Sequence, residues 1–325
     1  MIVVTGGAGF IGSNIVAALD ESGTDVVVCD RLRDGDKWRN LAKRRLVDVV
    51  DPIALIPYLE QHSHSVSAIV HMGAISSTTV TDGDLVIETN FRLSCRLFDF
   101  AAKLQIPFIY ASSAATYGSG MHGFSDTTDR IEKLRPLNLY GWSKHLFDRW
   151  VLHKQGSGQQ LPPQWAGLKF FNVYGPNEYH KGSMQSVVSH VFKAISESEP
   201  ARLFKSYRAD FIDGGQCRDF VHVNDCVEIM QWLLETPRVS GVFNVGTGAA
   251  RSFLDLAVLT QQAFGIEPSI EFVEMPAPIR EKYQYYTQAE TGNLVAQGYT
   301  RTPTSLEDGI RDYVQHYLMA EDRYR

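Results

Sequence analysis

A glycine-rich segment directly after the first apolar run is the feature that most limits how this chain can fold. The apolar residues Ile2–Thr5 are followed by Gly6, Gly9 and Gly12 at three-residue spacing, and a helix-forming segment comes next. Glycines in this pattern let the backbone turn tightly and approach a pyrophosphate, and the free amides of the following helix attract the phosphates. Asp30, which ends the second apolar run, can accept hydrogen bonds from a ribose. The sequence therefore predicts a dinucleotide-binding βαβ unit at the start of the chain.

Short apolar runs alternate with helix-length amphipathic segments, such as residues 14–19 and 91–104, over the first half of the chain. The runs after the first are Val26–Cys29, Ala68–His71, residues 108–111 and residues 168–172. Uninterrupted apolar runs are typical of strands buried on both faces, and their alternation with helices is typical of right-handed βαβ units. The predicted fold class is therefore α/β, with a doubly wound parallel sheet of the Rossmann type.

The length of 325 residues suits one large α/β unit with a smaller lobe. After residue 172 the pattern changes to a polar stretch, a helix-like segment at 187–195 and one more strand at 242–245. We therefore expect a dinucleotide-binding Rossmann domain formed by residues 1–172 and about 216–247. A discontinuous C-terminal substrate-binding lobe would be formed by about 173–215 and 248–325, and residues 118–132 and 155–164 are predicted to be irregular.

Composition excludes several classes of partner. The net charge of −6 gives no general attraction to nucleic acid or anionic membranes, and no apolar run approaches the roughly 18 residues of a membrane span. The four cysteines form no close pairs, which fits a reducing compartment, and the first strand starts without a leader, so we expect a cytoplasmic protein. His62 and His64 lack a third ligand, so no metal site is predicted.

Tyr140 and Lys144 are four residues apart and would project from one face of a helix. A nearby cation favours phenolate and would bring the pKa of the phenol down toward the working range, as proton removal from an alcohol during hydride transfer requires. Ser112 and Ser113 follow the predicted strand at 108–111, where a hydroxyl can polarise the reacting oxygen. Ser113 is the preferred candidate and Ser112 the alternative.

These motifs, with residues 112–118 and 171–176, resemble the extended short-chain dehydrogenases/reductases that modify nucleotide sugars, a family of NAD-dependent epimerases and dehydratases. Residues 180–184, 218–221 and 283–289 resemble more narrowly the epimerases that act on C6 of an ADP-linked heptose. The resemblance covers nearly the whole chain. It implies that a tightly held NADP oxidises the sugar carbon and returns the hydride to the opposite face, in a homopentamer that supplies lipopolysaccharide core biosynthesis.

The same resemblance implies roles for individual residues. Tyr140 and Lys181 would be the two acid/base groups, Ser113 would polarise the oxygen, and Lys144 would serve both the cofactor and Tyr140. The residues implied in cofactor binding are Gly6, Gly9, Phe10, Ile11, Gly12, Asp30, Arg31, Lys37, Met72, Gly73, Ala74, Ile75, Ser76, Asn90, Tyr140, Lys144, Val173 and Lys181. Those implied in substrate binding are Ser113, Asn172, Ser183, His190, Phe204, Arg218 and Tyr283.

The cofactor remains open between two dinucleotides. Asp30 favours NAD, whereas Arg31, Arg33 and Lys37 could bind a 2′-phosphate and favour NADP. The chain also departs from the family pattern, because Pro52 stands where a cofactor-binding lysine is expected, and methionine replaces glutamate at position 72. NADP is the expected cofactor, with NAD possible.

Other functions fit parts of the same pattern. A UDP-hexose 4-epimerase shares the glycines, the serine and the Tyr-Lys pair, and is the principal alternative. A 4,6-dehydratase would need an acidic pair where Ala114 and Ala115 stand. A dinucleotide-sensing protein without catalysis would be expected to lose Tyr140 or Lys144. Lys181 could instead bind the diphosphate, and residues 207–215 are longer than the family pattern.

Overall fold

The computed structural model describes residues 1–280 and 283–325, and a large parallel sheet lies at its centre. In chain order the strands are β1 Ile2–Thr5, β2 Val26–Cys29, β3 Asp48–Val50, β4 Ala68–His71, β5 Phe108–Ser113, β6 Trp165–Phe170, β7 Asn172–Tyr174, β8 Ala201–Phe204, β9 Cys217–His222, β10 Gly241–Val245, β11 Ala250–Ser252 and β12 Ile270–Val273. Seven of them pair in the order β10-β6-β5-β4-β1-β2-β3, and every pairing is parallel. The predicted doubly wound sheet is confirmed.

Helices connect and cover the strands. They are α1 Phe10–Glu21, α2 Leu55–Gln61, α3 Gly83–Val86, α4 Leu93–Leu104, α5 Thr128–Ile131, α6 Leu139–Gly156, α7 Val187–Ser196, α8 Val223–Glu235, α9 Phe253–Phe264, α10 Ala277–Arg280, α11 Gly292–Ala296 and α12 Leu306–Asp312. Short 3₁₀ segments occupy Asp36–Leu41, Ala114–Tyr117 and Tyr179–Met184, and π-helical turns occupy Ile87–Arg92 and Tyr313–Leu318. None of the helices within the described ranges is both long and apolar enough to cross a membrane.

Both faces of the large sheet are buried, which explains the uninterrupted apolar runs. On β1, Val4 belongs to the core cluster that contains Ile15 of α1 and residues of α8. Its neighbour Val3 points to the other face and joins the cluster that contains Phe98 of α4 and residues of α6. Because successive side chains of a strand point to opposite faces, a strand covered by helices on both sides must be apolar throughout.

The remaining strands form two smaller sheets. In the first, β9 pairs in parallel with β7 and antiparallel with β11. In the second, β8 pairs with β12. Two apolar clusters, which include residues of α7, α9 and α12, form the core of this part of the molecule. The chain returns to the large sheet through β10, which pairs with β6. The division into two lobes with limits near residues 216 and 247 stays a prediction.

The predicted strand at 168–172 spans a junction between two sheets. The structure ends β6 at Phe170, and Asn172 begins β7 in a different sheet. The backbone amide of Phe171, which lies between them, donates to the carbonyl of Val245 on β10. Two adjacent phenylalanines made the run look continuous, but the hydrogen-bond partners change there. Asn172 consequently lies beyond the carboxyl end of β6, the edge where ligands bind in doubly wound sheets.

Candidate active site

Two glycines of the segment between β1 and the first turn of α1, Gly6 and Gly12, are packed too closely to be replaced by a residue with a side chain. A Cβ on Gly12 would lie 2.1 Å from the carbonyl oxygen of Gly6, and one on Gly6 would lie 2.6 Å from the amide nitrogen of Gly73. Gly6 also has a φ of +65°, in the left-handed region that favours glycine. The segment therefore leaves bare backbone in front of the α1 amides, which fits the pyrophosphate of a dinucleotide.

Asp30 at the end of β2 fastens the glycine segment and pairs with a lysine. Its Oδ2 accepts a hydrogen bond of 2.9 Å from the amide of Ala8, and its Oδ1 accepts 2.7 Å from the amide of Arg31. Lys37 Nζ lies 2.6 Å from the same Oδ1, and both side chains are largely buried. Asp30, which favours NAD, and Lys37, which favours NADP, therefore neutralise each other in one ion pair.

His71 at the end of β4 is a neutral link beneath the cofactor segment. Ser94 Oγ donates to the carbonyl of Asn90, so it accepts from His71 Nε2 at 2.8 Å. The other ring nitrogen, Nδ1, then accepts from Thr5 Oγ1 at 2.6 Å. Burial lowers the pKa of His71 to about 3, and the charge of Lys144 adds to the shift. This arrangement holds β1 and β4 in register at the edge of the predicted dinucleotide site.

Asn90 holds the backbone of the predicted cofactor segment, and its own contact with a cofactor stays a prediction. Its side chain is fully buried, and its Oδ1 accepts 2.8 Å from the amide of Ile75 while its Nδ2 donates 3.0 Å to the Ile75 carbonyl. The same Nδ2 donates to Ser143 Oγ at 3.0 Å. All side-chain hydrogen-bonding groups of Asn90 are therefore occupied by protein. The segment that it holds, Met72 to Ser76, is half-buried except for Ser76, which is exposed.

Tyr140 lies at the start of α6 against the turn that follows Ser113. Asn138 caps the helix by accepting 2.8 Å from the amide of Gly141. A Cβ on Gly141 would lie 2.6 Å from the carbonyl oxygen of Ala115, so the first helical turn packs directly on the 3₁₀ segment. This close packing brings the phenol of Tyr140 beside the Ser113 hydroxyl. The predicted helical spacing of Tyr140 and Lys144 is confirmed.

Burial affects the ionisation of both Tyr140 and Lys144. Burial raises the pKa of the phenol, the Ser113 hydroxyl opposes that shift, and the Asp148 carboxylate adds to it. Burial also lowers the pKa of the Lys144 ammonium to about 8, which Asp148 opposes. Burial sets the direction of the Tyr140 shift here, and the expected lowering of its pKa by Lys144 stays a prediction. Desolvation disfavours the charged form of both side chains.

Ser112 and Ser113 form the end of β5, which extends two residues beyond the predicted strand, and their side chains point in different directions. Ser112 Oγ donates 2.7 Å to Asp148 and is almost fully buried. Ser113 lies next to Tyr140, and its Oγ accepts 3.1 Å from the amide of Ala115, which leaves its hydrogen available. Alternation along the strand separates the two hydroxyls. The geometry favours Ser113, as preferred from the sequence, over Ser112.

Lys181 lies over the first residue of α1. Its Nζ is 5.1 Å from the ring centroid of Phe10, and burial lowers its pKa, whereas the Glu178 carboxylate raises it. The segment is fastened to the glycine loop by Asn40, whose Nδ2 donates 2.9 Å to the carbonyl of Ala8 and 3.0 Å to that of Asn177. Sequence reasoning missed Asn40, since a single asparagine in a polar stretch carries no signal.

Three of the predicted substrate residues come together. The Arg218 guanidinium lies 5.3 Å from the Tyr283 ring centroid, and that ring is 6.3 Å from Phe204. Arg218 is buried, and burial lowers its pKa; no carboxylate among residues 1–280 and 283–325 offsets that effect. Gln284 donates 2.7 Å to the carbonyl of Gly118, so this segment reaches the turn after Ser113. A buried cation without a carboxylate partner beside aromatic rings can bind an anion.

The other predicted substrate residues lie at two further places. Ser183 and His190 are exposed, and His190 Nε2 lies 3.4 Å from the Ser183 carbonyl oxygen. Asn172 is exposed at the start of β7, and Val173 beside it is half-buried. Ser183 lies on the 3₁₀ segment that also carries Lys181, and His190 lies on α7. These placements leave their substrate roles as predictions.

A family model described as "NAD dependent epimerase/dehydratase family" matches residues 2–246. The chain belongs to this family. A relative from Nitratidesulfovibrio vulgaris, named ADP-L-glycero-D-manno-heptose-6-epimerase, is 48% identical and the match covers 99% of both chains. A relative of the same name from Fusobacterium nucleatum is 45% identical over 100% of both. The solved Helicobacter pylori enzyme of that name has a TM-score of 0.78 and 29% identity, covering 97% of this chain and 95% of the other.

Proposed function

We propose that this protein inverts C6 of the heptose in ADP-D-glycero-β-D-manno-heptose and yields the L-glycero epimer, for lipopolysaccharide core biosynthesis. The observation that carries the proposal is the placement of Tyr140 beside Ser113 in a chain whose full-length relatives have this name. A nicotinamide dinucleotide, when bound, accepts a hydride from C6 and returns it. The described residues supply the remaining parts of the reaction.

Tyr140 and Ser113 act at the oxygen on C6. The Tyr140 phenolate takes the hydroxyl proton as the hydride leaves C6, and Lys181 supplies a proton to the oxygen when the hydride returns to the opposite face. The Ser113 hydroxyl donates to the oxygen that alternates between alcohol and carbonyl. Lys144 supports the anionic form of Tyr140 and contacts the cofactor. Burial raises the pKa of Tyr140. A bound oxidised nicotinamide would supply a positive charge that favours the phenolate.

Lys181 serves as the second acid/base group in this proposal, since a stereocentre reduced from its opposite face presents its oxygen in a different orientation. Its lowered pKa makes the neutral amine accessible. We expect Lys181→Met to lower kcat roughly 100-fold with little change in KM, as measured by initial rates of epimerisation. Lys193→Met, an exposed lysine on α7, is the matched control. An unchanged kcat with a raised KM would instead assign Lys181 to phosphate binding.

Arg218 binds the diphosphate of the substrate. Its planar guanidinium can form two parallel hydrogen bonds with a phosphate, which a lysine ammonium cannot reproduce. We expect Arg218→Lys to raise KM roughly tenfold, which corresponds to about 1.4 kcal/mol, and to change kcat much less. Steady-state kinetics beside Arg238→Lys, an exposed arginine on the surface, provide the measurement and its control. Equal effects of the two substitutions would remove Arg218 from the binding site.

NADP is the proposed cofactor. Lys37 neutralises Asp30 in their ion pair of 2.6 Å, and Arg31 follows at once, so a 2′-phosphate would meet cations instead of an uncompensated carboxylate. The dinucleotide released from denatured protein can be separated by chromatography and identified from its mass by mass spectrometry. Release of NADP supports the assignment, whereas release of NAD alone would contradict it.

The proposal also includes a cytoplasmic location and a homopentameric assembly. All four cysteines are unpaired, which suits the reducing cytoplasm. Family resemblance favours a homopentamer, and sedimentation equilibrium tests that assembly.

Conversion of a UDP-hexose with inversion at C4 is the alternative reaction. Parallel assays with ADP-heptose and UDP-galactose separate the two, because only the correct sugar nucleotide is converted at a useful rate. A protein that binds dinucleotide but converts neither substrate would be a dinucleotide-sensing relative.

A further inference from the structure

Two opposite charges are completely buried behind the catalytic helix. Lys169 Nζ on β6 lies 2.6 Å from Asp148 Oδ2 on α6, and neither side chain is exposed at all. Burial of two charges costs more desolvation energy than an apolar pair would, so such a pair contributes little to stability by itself. The role of the buried pair therefore lies in the groups that Lys169 and Asp148 contact.

The Asp148 carboxylate accepts hydrogen bonds from side chains of β5, the strand that ends at Ser113. It accepts 2.7 Å from Ser112 Oγ and 3.1 Å from the Tyr110 hydroxyl, both on β5. Lys169 donates 2.8 Å to Thr116 Oγ1. Thr116 in turn donates 2.8 Å to the carbonyl of Ser113, which closes the network next to the hydroxyl that faces Tyr140.

Asp148 also lies on the face of α6 that carries the Tyr-Lys pair. Tyr140, Lys144 and Asp148 are spaced by four residues in one helix, so their side chains share a face. The other ionisable groups of this network and its surroundings are Tyr140 and His145 on α6, His71 on β4, Tyr110 on β5 and Lys169 on β6. His71 is neutral, Tyr110 is a protonated donor, and Lys169 is already paired with Asp148. Asp148 is thus the carboxylate through which this network reaches Lys144.

We propose that Asp148, held by Lys169, is a positioning residue of the active site: it fixes β5 and α6 so that Ser113 meets Tyr140, and it keeps the Lys144 side chain charged. The proposal rests on the epimerase function for the identity of the reaction. The Asp148 carboxylate opposes the burial that lowers the pKa of Lys144 to about 8. Loss of its charge lowers that pKa further, so Lys144 loses its proton at a lower pH.

The test is the pH profile of the variant Asp148→Asn/Lys169→Met. Both charges disappear together, which avoids a lone buried charge. Ser112 and Tyr110 donate to different oxygens of Asp148, so the single amide oxygen of asparagine still accepts from one of them and its NH₂ group donates to the oxygen of the other. Activity that needs charged Lys144 falls as pH rises through its pKa. We expect this alkaline limb of kcat/KM to move to lower pH by roughly one unit, since an opposite charge four residues away on one helix face is close enough to shift a pKa by about one unit. Lys169→Arg keeps both charges and should keep the wild-type profile.

A second ion pair on the same helix provides the matched control. Lys154 on α6 lies 2.8 Å from Asp99 on α4 at the protein surface. Asp99→Asn/Lys154→Met should leave the alkaline limb in place. A buried-pair variant with a lower plateau but an unmoved limb would overturn the proposal, because a purely structural role changes the amount of active enzyme and not its ionisation.

A readout without sugar separates this inference from the proposed function. NADPH binding, followed by the change in its fluorescence from pH 6 to 10, depends on the charge of Lys144 if that residue contacts the dinucleotide. The affinity of the buried-pair variant should weaken at a pH roughly one unit below that of wild type. Identical pH dependence in both proteins would contradict the role of Asp148 whatever sugar the enzyme converts. Absence of wild-type epimerisation would contradict the function alone.

Discussion

Replacing Tyr140 with phenylalanine is expected to lower kcat for epimerisation by roughly 10²–10⁴-fold, the range that a positioned proton-transfer group contributes. The phenol lies beside the Ser113 hydroxyl at the start of α6, and phenylalanine preserves the ring while it removes the only acidic atom. Bound dinucleotide and circular dichroism should remain those of the wild type, so the loss would be chemical. Initial rates measured by proton NMR give the effect.

Tyr58→Phe is the matched control for that experiment. Tyr58 lies on α2, and its hydroxyl forms no hydrogen bond with the side chains that the structure describes. This variant should have wild-type activity. If Tyr140→Phe retained more than about a tenth of wild-type kcat, the phenol would not be the acid/base group, because general acid-base groups contribute at least about 100-fold.

Replacing Gly12 with alanine is expected to weaken dinucleotide binding roughly 100-fold, which corresponds to about 2.8 kcal/mol. The new Cβ would stand 2.1 Å from the carbonyl oxygen of Gly6, and that atom belongs to backbone that cannot rotate away. The glycine loop must shift, and overpacking of this kind lowers the free energy of unfolding by about 1–3 kcal/mol. Dinucleotide content of the purified protein and denaturant unfolding measure the two effects.

Gly156→Ala provides a matched substitution at another helix position. Gly156 ends α6, and a Cβ there would meet nothing within 4 Å. Its dinucleotide content should equal that of the wild type. Gly12→Ala with full dinucleotide content would show that dinucleotide binding does not depend on the close packing of Gly12 against the Gly6 backbone, and would contradict the proposed cofactor site.

Six of the seven strands of the large sheet could be predicted from sequence because they lie in mainly apolar runs. The predicted limits of β1, β2 and β4 agree with the structure. Strands β3, β8, β9, β11 and β12 escaped prediction. Four of them have only three or four residues, and the six-residue β9 contains Arg218 and Asp219, so none gives a clear periodic signal. Asn172 was assigned to the wrong strand, because hydrogen-bond partners and not hydrophobicity change at residue 171.

The site could be predicted where a motif fixes local geometry. The glycines, Ser113, Tyr140 and Lys144 were predicted from spacing or resemblance, and the structure places Tyr140 beside Ser113. The direction of the Tyr140 pKa shift could not be predicted, because it depends on burial by distant segments. Lys169 was hidden inside an apolar run, and its partner Asp148 is 21 residues away in sequence. Paired buried charges and the support role of Asn90 become visible only when the strands are assembled.

The most direct measurement follows C6 inversion of ADP-D-glycero-β-D-manno-heptose by proton NMR in D₂O, with purified enzyme and no added dinucleotide. Hydride removed from C6 and returned through a bound cofactor does not exchange with solvent, so the L-glycero product should form and keep its C6 protium. Deuterium at C6 would indicate removal of that hydrogen as a proton and contradict the hydride mechanism. Absence of inversion by protein that carries its dinucleotide would contradict the proposed function itself.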